Sequence, residues 1–170
     1  MVKLDNIRGE ICLSAFPGRR RDDDFSRDRM DKFFGFLDAN NYRTLVSLVE
    51  SHEFDDYVSL PEFKETVSHH HFDWHYHPLK DMTAPNEEFM SEFAETQSSL
   101  IDNLLFGEKI AIHCKGGLGR SGTVAAMLMC GIGFSATNSI DLVRLSRPGA
   151  IETKEQELFI KQAAKKFLNA

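Results

Sequence analysis

One stretch constrains the fold more than any other: Lys109-Ile110-Ala111-Ile112-His113-Cys114-Lys115-Gly116-Gly117-Leu118-Gly119-Arg120-Ser121-Gly122-Thr123. Ile110 and Ile112 alternate as in a buried strand. The strand ends at a cysteine and passes into a glycine-rich turn, and an apolar segment of helical propensity, Val124 to Met129, follows. Strand, tight loop and helix N-terminus together make an anion cradle. Successive backbone N–H groups point inward, and the helix dipole favours negative charge at that end. Gly116, Gly117 and Gly119 are expected at positive φ, where a nest of N–H groups leaves no room for side chains.

Cys114 stands at the mouth of this loop and Arg120 at its end, with five residues between. The N–H ring and dipole that would hold a phosphate also hold a thiolate. Arg120 offers a planar fork that can grip two oxygens of a tetrahedral oxyanion. Ser121 brings a hydroxyl beside the sulfur, and His113 is adjacent in sequence. A nucleophile, an anion socket and a positive clamp thus fall close together, which predicts a phosphoryl-transfer site.

Three other readings compete. Gly117-x-Gly119-x-x-Gly122 matches the dinucleotide fingerprint in the right strand-to-helix context, with Asp141 downstream as a ribose-binding acid. Against it, Asp141 falls inside a helical pattern, and Arg120 would crowd a pyrophosphate. A P-loop fails because Thr123 stands where its lysine must be. A merely structural cysteine, usually buried and inert, needs no arginine and glycines around it.

The 170 residues suit one domain, 1–170, large enough for a substantial core. Hydrophobic content of 42% and charged content of 27% fit a soluble globular protein, and the net charge of −6 argues against a general nucleic-acid or membrane-surface binder. Positive charge must then be concentrated where an anionic substrate docks. Cys12, Cys114 and Cys130 are too few, and odd in number, for a disulfide framework. No apolar run reaches membrane-spanning length, and the start of the chain, with Lys3, Asp5 and Arg8, carries no signal-peptide core. A monomer in the cytoplasm is expected.

Along the chain, Glu10 to Phe16 reads as a first strand, ended by Pro17-Gly18. Arg19-Arg20-Arg21-Asp22-Asp23-Asp24 reads as a solvated loop and helix start, with the acids in the first turn; the functional alternative is that one arginine leans toward the phosphate cleft. Phe25 to Asn40 is helical through Met30, Phe33, Phe34 and Leu37. Thr44 to Val49 is a second strand, central and parallel. Pro61 can start a short helix between Glu50 and Ser68. His69 to His77, with five histidines in nine residues, reads as a third strand. There His69, His71, His75 and His77 would share a face, as metal ligands would, although Phe72, Trp74 and Tyr76 favour ordinary packing and no metal is expected. A loop from Pro78 to Pro85 precedes the longest helix, Asn86 to Phe106, capped by Gly107. Past the cradle, Ser135 caps a helix through Leu145, and Thr153 to Leu168 closes the chain as a helix. Strands alternating with helices imply an α/β fold around a central, mainly parallel, twisted sheet.

His113-Cys114-x5-Arg120-Ser121 resembles the signature of the cysteine-dependent protein tyrosine and dual-specificity phosphatases. The run from His113 to Gly122 is most similar to the kinase-associated phosphatase branch, as are the blocks Tyr76 to Asp81 and Gly149 to Gln156. The resemblance covers the second half of the chain strongly. It implies a dual-specificity phosphatase-like fold, a phosphocysteine on Cys114 and no cofactor. It also implies phosphate held by Arg120 and the N–H groups of Lys115, Gly116, Gly117, Leu118, Gly119 and Arg120. Asp81 would be the general acid and base, with Asp73 its rival, and Ser121 would ease release of the thiolate. Gln156 matches a family glutamine that positions water, but Thr153-x-x-Gln156 is also a capping box. Glu152 stands where many relatives carry another glutamine. The implied substrate is a phosphorylated protein, phosphotyrosine foremost and phosphoserine or phosphothreonine besides. An inositol phosphate or phosphoinositide, an RNA 5′-triphosphate and a non-catalytic phosphate-recognition module are the alternatives.

Overall fold

The computed structural model of the chain describes residues 2–3, 8–20 and 22–169; Asp5 and Arg21, used above, lie outside the described residues. In chain order the elements are β1 (Val2–Lys3), β2 (Glu10–Ser14), α1 (Arg27–Ala39), β3 (Tyr42–Ser47), α2 (Ser51–Phe54) and α3 (Leu60–Ser68). Then come β4 (Asp73–Tyr76), α4 (Glu87–Phe106), β5 (Lys109–His113), α5 (Gly119–Gly131), α6 (Ala136–Ser146) and α7 (Lys154–Leu168). The sheet order is β1-β2-β5-β3-β4. β2, β5, β3 and β4 run parallel, and only β1 is antiparallel, to β2. The expected α/β architecture is therefore present.

Side-chain alternation splits the interior into two cores, one on each sheet face. Ile11, Leu13, Val46, Ile110 and Ile112 pack with α4 to α7 through Phe93, Leu100, Val124, Val143 and Ile160. Cys12, Leu45 and Ala111 pack with α1 and α3 through Met30, Phe34, Leu37, Phe63 and Val67. β5, paired on both edges by β2 and β3, is covered on both faces by these two sets of helices. α5 is buried from Gly119 to Cys130, as expected of a helix with no charged face. The helix ends follow their sequence signals: Asn86 accepts the Phe89 N–H, and Gly107 closes α4 at φ +93°.

Several expectations shift. β1 was not foreseen. α1 begins at Arg27 after Ser26, so Asp22 to Asp24 precede it and Asp28 is its first-turn acid. α5 begins at Gly119 rather than Val124, which puts Arg120 and Ser121 in its first turn. The third strand is only Asp73–Tyr76, because α3 runs to Ser68 and the chain must turn before it can pair with β3. His69 is the C-cap of α3, so the four-histidine face does not form. His70 pairs with Asp38 at 2.6 Å, His75 with Asp73 at 3.0 Å and His77 with Thr96 at 2.9 Å. Among the described residues, no three His, Cys, Asp or Glu side chains gather as a metal site.

Candidate active site

The parallel strands end level: Ser14 and Ser47 both pair with His113, and Ser47 with Tyr76. The loops that follow therefore converge on one sheet edge, where ligands of open α/β sheets bind. Backbone bonds stitch them together: Phe16 N–H to Lys115 O at 3.1 Å, Leu48 N–H to His113 O and Leu79 N–H to Leu48 O, both at 3.0 Å.

Cys114 leaves β5 buried, and its Sγ accepts the Gly117 N–H at 3.2 Å, with Ser121 Oγ at 3.5 Å. Of the three loop glycines expected at positive φ, only Gly117 has it, at +69°. A Cβ there would lie 2.4 Å from the backbone of Ser14 and Ala15. Gly119 is small for another reason: a Cβ would meet Glu152 Oε2 at 2.5 Å and Gln156 Nε2 at 3.0 Å, whereas one on Gly116 would meet open space. Gly122 packs against Ala150 and Ile151, and Asp141 lies within α6, which leaves the dinucleotide reading without its close-approach glycine or its strand-end acid.

Arg147, the C-cap of α6, braces the cradle. Its guanidinium donates to Gly117 O at 3.1 Å and Gly116 O at 3.3 Å. In a trans peptide the carbonyl and the following N–H point opposite ways. Holding Gly116 O outward therefore aims the Gly117 N–H at the sulfur.

Arg120 is 1% exposed. Its Nη1 and Nη2 donate to both oxygens of Glu53, at 2.5 and 2.9 Å, and Nη1 donates to Leu79 O at 3.1 Å. Nη2 also lies 3.0 Å from Asp81 Oδ1. The buried Nε–H has no hydrogen-bond partner among the described residues, so the Nε/Nη2 edge of the fork is the one that can take an oxyanion. Burial works against the Arg120 charge, but Glu53, Cys114 and Asp81 more than offset it and push its pKa up. Burial would likewise raise the Glu53 carboxyl; bonds from Arg120 and the Glu50 N–H, with the Arg120 and Lys115 charges, hold it below its ordinary value. Glu53 and α2 were missed in the sequence. The available signal was Glu50-x-x-Glu53, which forms a capping box in which Glu53 accepts the Glu50 N–H at 2.8 Å.

Asp81 lies on the loop between β4 and α4, with its carboxylate beside Arg120. Asp73 is an exposed β4 residue paired with His75. His113 is fully buried, its Nε2 2.6 Å from Ser47 Oγ, which also accepts the Trp74 indole N–H at 2.9 Å. Burial pushes its pKa down to about 3, leaving a neutral ring behind the cysteine. The Lys115 ammonium turns to Asp56 at 2.7 Å, so only its backbone belongs to the loop. Arg19 pairs with Asp23 at 2.6 Å. Arg19, Arg20, Asp22, Gly116 and Arg147 line a common hollow, so Arg19 and Arg20 reach the cradle's outer rim.

A family model described as the Swiss Army Knife protein DSP-PTPase phosphatase domain matches residues 26–160. A putative tyrosine phosphatase, 067L, of Invertebrate iridescent virus 3 is 36% identical over 113 residues, covering 62% of this chain and 47% of the viral protein. The tyrosine-protein phosphatase CDC14 of Saccharomyces cerevisiae is 32% identical over 119 residues, covering 69% of this chain and 20% of its own length. The chain thus spans less than half the length of these curated relatives. Among solved structures, the active form of Tk-PTP is 30% identical with a TM-score of 0.69, covering 93% of both chains. A kinase-associated phosphatase with its catalytic-site cysteine changed to serine is 26% identical with a TM-score of 0.77, covering 94% of this chain and 88% of that one. A buried cysteine in a glycine loop, closed by an anchored arginine, is thus set in a fold and sequence shared with named phosphatases, and the chain belongs to the Swiss Army Knife DSP-PTPase phosphatase domain family of the dual-specificity phosphatase superfamily.

Proposed function

We propose that the chain is a protein phosphatase domain that hydrolyses phosphate monoesters through a phosphocysteine on Cys114. The observation that carries this reading is the sulfur itself: buried, accepting a loop N–H, and within the electrostatic reach of a buried arginine whose Nε–H is unpartnered. Phosphate oxygens would take the Nε/Nη2 edge of Arg120 and the N–H groups of residues 115–120, which are fixed in place before substrate arrives. Cys114 Sγ attacks phosphorus; the S–P bond forms as the P–O bond breaks, and Asp81 gives its proton to the leaving oxygen. Water then attacks phosphorus and passes a proton to Asp81. The S–P bond breaks, Ser121 donates a hydrogen bond to the departing thiolate, and inorganic phosphate leaves.

The substrate class we propose is a phosphorylated protein side chain, phosphotyrosine foremost. Lys115 supports this over an inositol polyphosphate, because Asp56 neutralises its ammonium at the mouth of the site. We further propose that the catalytic unit is the single domain 1–170, a monomer. A reducing compartment such as the cytoplasm suits its three free cysteines. Among the described residues, no helix is long and apolar enough to cross a membrane.

The test is turnover of an aryl phosphate, phosphotyrosine and phosphothreonine peptides and phosphoinositides by the wild-type chain and Cys114→Ser. Serine at this place stays protonated, so the variant should keep the fold and lose hydrolysis. Appreciable turnover by Cys114→Ser refutes the phosphocysteine; preference for phosphoinositides refutes the substrate class.

A further inference from the structure

On the reading of Asp81 as the acid, we infer that Gln156 is a positioning residue that ties the acid loop to the start of α7, and not the holder of the hydrolytic water. Gln156 is fully buried. Its Oε1 accepts two backbone N–H groups, from Glu152 at 2.9 Å and Thr153 at 3.3 Å. Both lone pairs of the amide oxygen are thereby in use. Its Nε2 donates to Thr83 O at 3.1 Å, across 73 residues of sequence.

Thr83 closes the turn that carries Asp81. Its N–H and hydroxyl both reach back to Lys80 O, at 3.4 and 2.8 Å, and Met82 between them holds a left-handed φ of +58°. One end of this turn is held by Arg120, whose Nη1, outside the edge that phosphate would take, donates to Leu79 O. The other end is held by Gln156. Asp81 itself is 54% exposed on its side chain, so these two anchors, with the long 3.4 Å bond from its N–H to Glu50, set where the acid stands over the cradle. A water-positioning glutamine must accept a hydrogen bond from the attacking water. Gln156 has only one amide hydrogen left, and a donor aimed at the water oxygen would withdraw electron density from the atom that attacks.

Two variants separate the roles. Gln156→Glu keeps acceptor oxygens for the Glu152 and Thr153 N–H groups but, when ionised, sets a carboxylate against the Thr83 carbonyl. Gln156→Met keeps the length and has neither donor nor acceptor. Both are assayed above neutral pH on aryl phosphates of graded leaving-group acidity, with rapid mixing to detect a burst. A loosened acid loop should lower kcat/KM by about 10–10²-fold for poor leaving groups, change it little for the most acidic ones, and produce no burst. Loss of water positioning would instead lower kcat, leave kcat/KM unchanged and give a burst as phosphocysteine accumulates; that result overturns the inference. So does a lower melting temperature with neither kinetic ratio changed, the signature of a helix cap alone. These readouts are ratios within the folded molecules, so partial unfolding of a variant does not blur them. A wild-type chain that turns over no aryl phosphate would sink the phosphatase reading itself, and the inference with it.

Discussion

Replacing Glu53 by Gln should show how far the catalytic arginine depends on an acid that lies outside the signature loop. The change keeps the side chain's shape and removes its charge from a pair whose side chains are 1% and 5% exposed. Arg120 would retain Leu79 O and the exposed Asp81 as partners. Breaking a buried pair on one side costs about 3–5 kcal/mol. At about 2–4 °C per kcal/mol for a chain of this length, the melting temperature should fall by about 6–20 °C. kcat/KM should fall with it, by about 10²-fold if the fork shifts by about 1 Å. The sign with pH follows from the lowered Glu53 pKa. The stabilisation is complete above the ordinary value of 4.5 and is lost as pH falls below it, so the wild-type and variant melting curves should converge in acid. A scanning-fluorimetry series from pH 7.5 down to about pH 2 measures both. A Glu53→Gln chain that melts within about 4 °C of wild type at pH 7.5 would refute the account, since that is no more than about 2 kcal/mol, below the cost of breaking a buried pair.

Asp81→Asn should lower turnover by about 10²–10⁴-fold for phenolic esters and little for strongly activated ones, with Asp73→Asn as the unaffected control; a leaving-group dependence that follows Asp73 instead would move the acid to β4. His113 is held neutral, chiefly by burial, with its pKa near 3 against an ordinary 6.5. The unfolded chain therefore takes up this proton first, and stability should fall by up to about 1.4 kcal/mol per pH unit from about pH 6.5 downward. His113→Asn should flatten that part of the melting profile, and an unchanged slope would contradict a buried neutral ring. Gly117→Ala should cost about 1–3 kcal/mol from its backbone alone, besides the clash with Ser14 and Ala15. Gly116→Ala, with open space around its Cβ, should melt within about 0.5 kcal/mol of wild type; equal losses at the two glycines would refute the assigned loop geometry.

The local half of the site was legible in the chain. A strand, its cysteine, a glycine turn and a helix start are contiguous, so backbone rules alone bring Cys114, the loop N–H groups, Arg120 and Ser121 together, and the capping box at Thr153 was read at its true position. Patterning fails where two elements meet: the histidine-rich segment alternates well enough for a long strand, but only Asp73–Tyr76 can reach β3 once α3 has run to Ser68.

By itself, the sequence determined the α/β class, the caps of α4, α6 and α7 and a loop able to hold an oxyanion, because each depends on residues within a few positions of one another. Only the tertiary structure decided what stands around that loop. Glu53 reaches Arg120 across 67 residues, Gln156 reaches Thr83 across 73, and Arg147 reaches Gly117 across 30. No local propensity marks a glutamate, a glutamine or an arginine for such a bond. The parallel strands fix these partners by ending at one level, where buried polar groups from distant segments must find one another once water is gone.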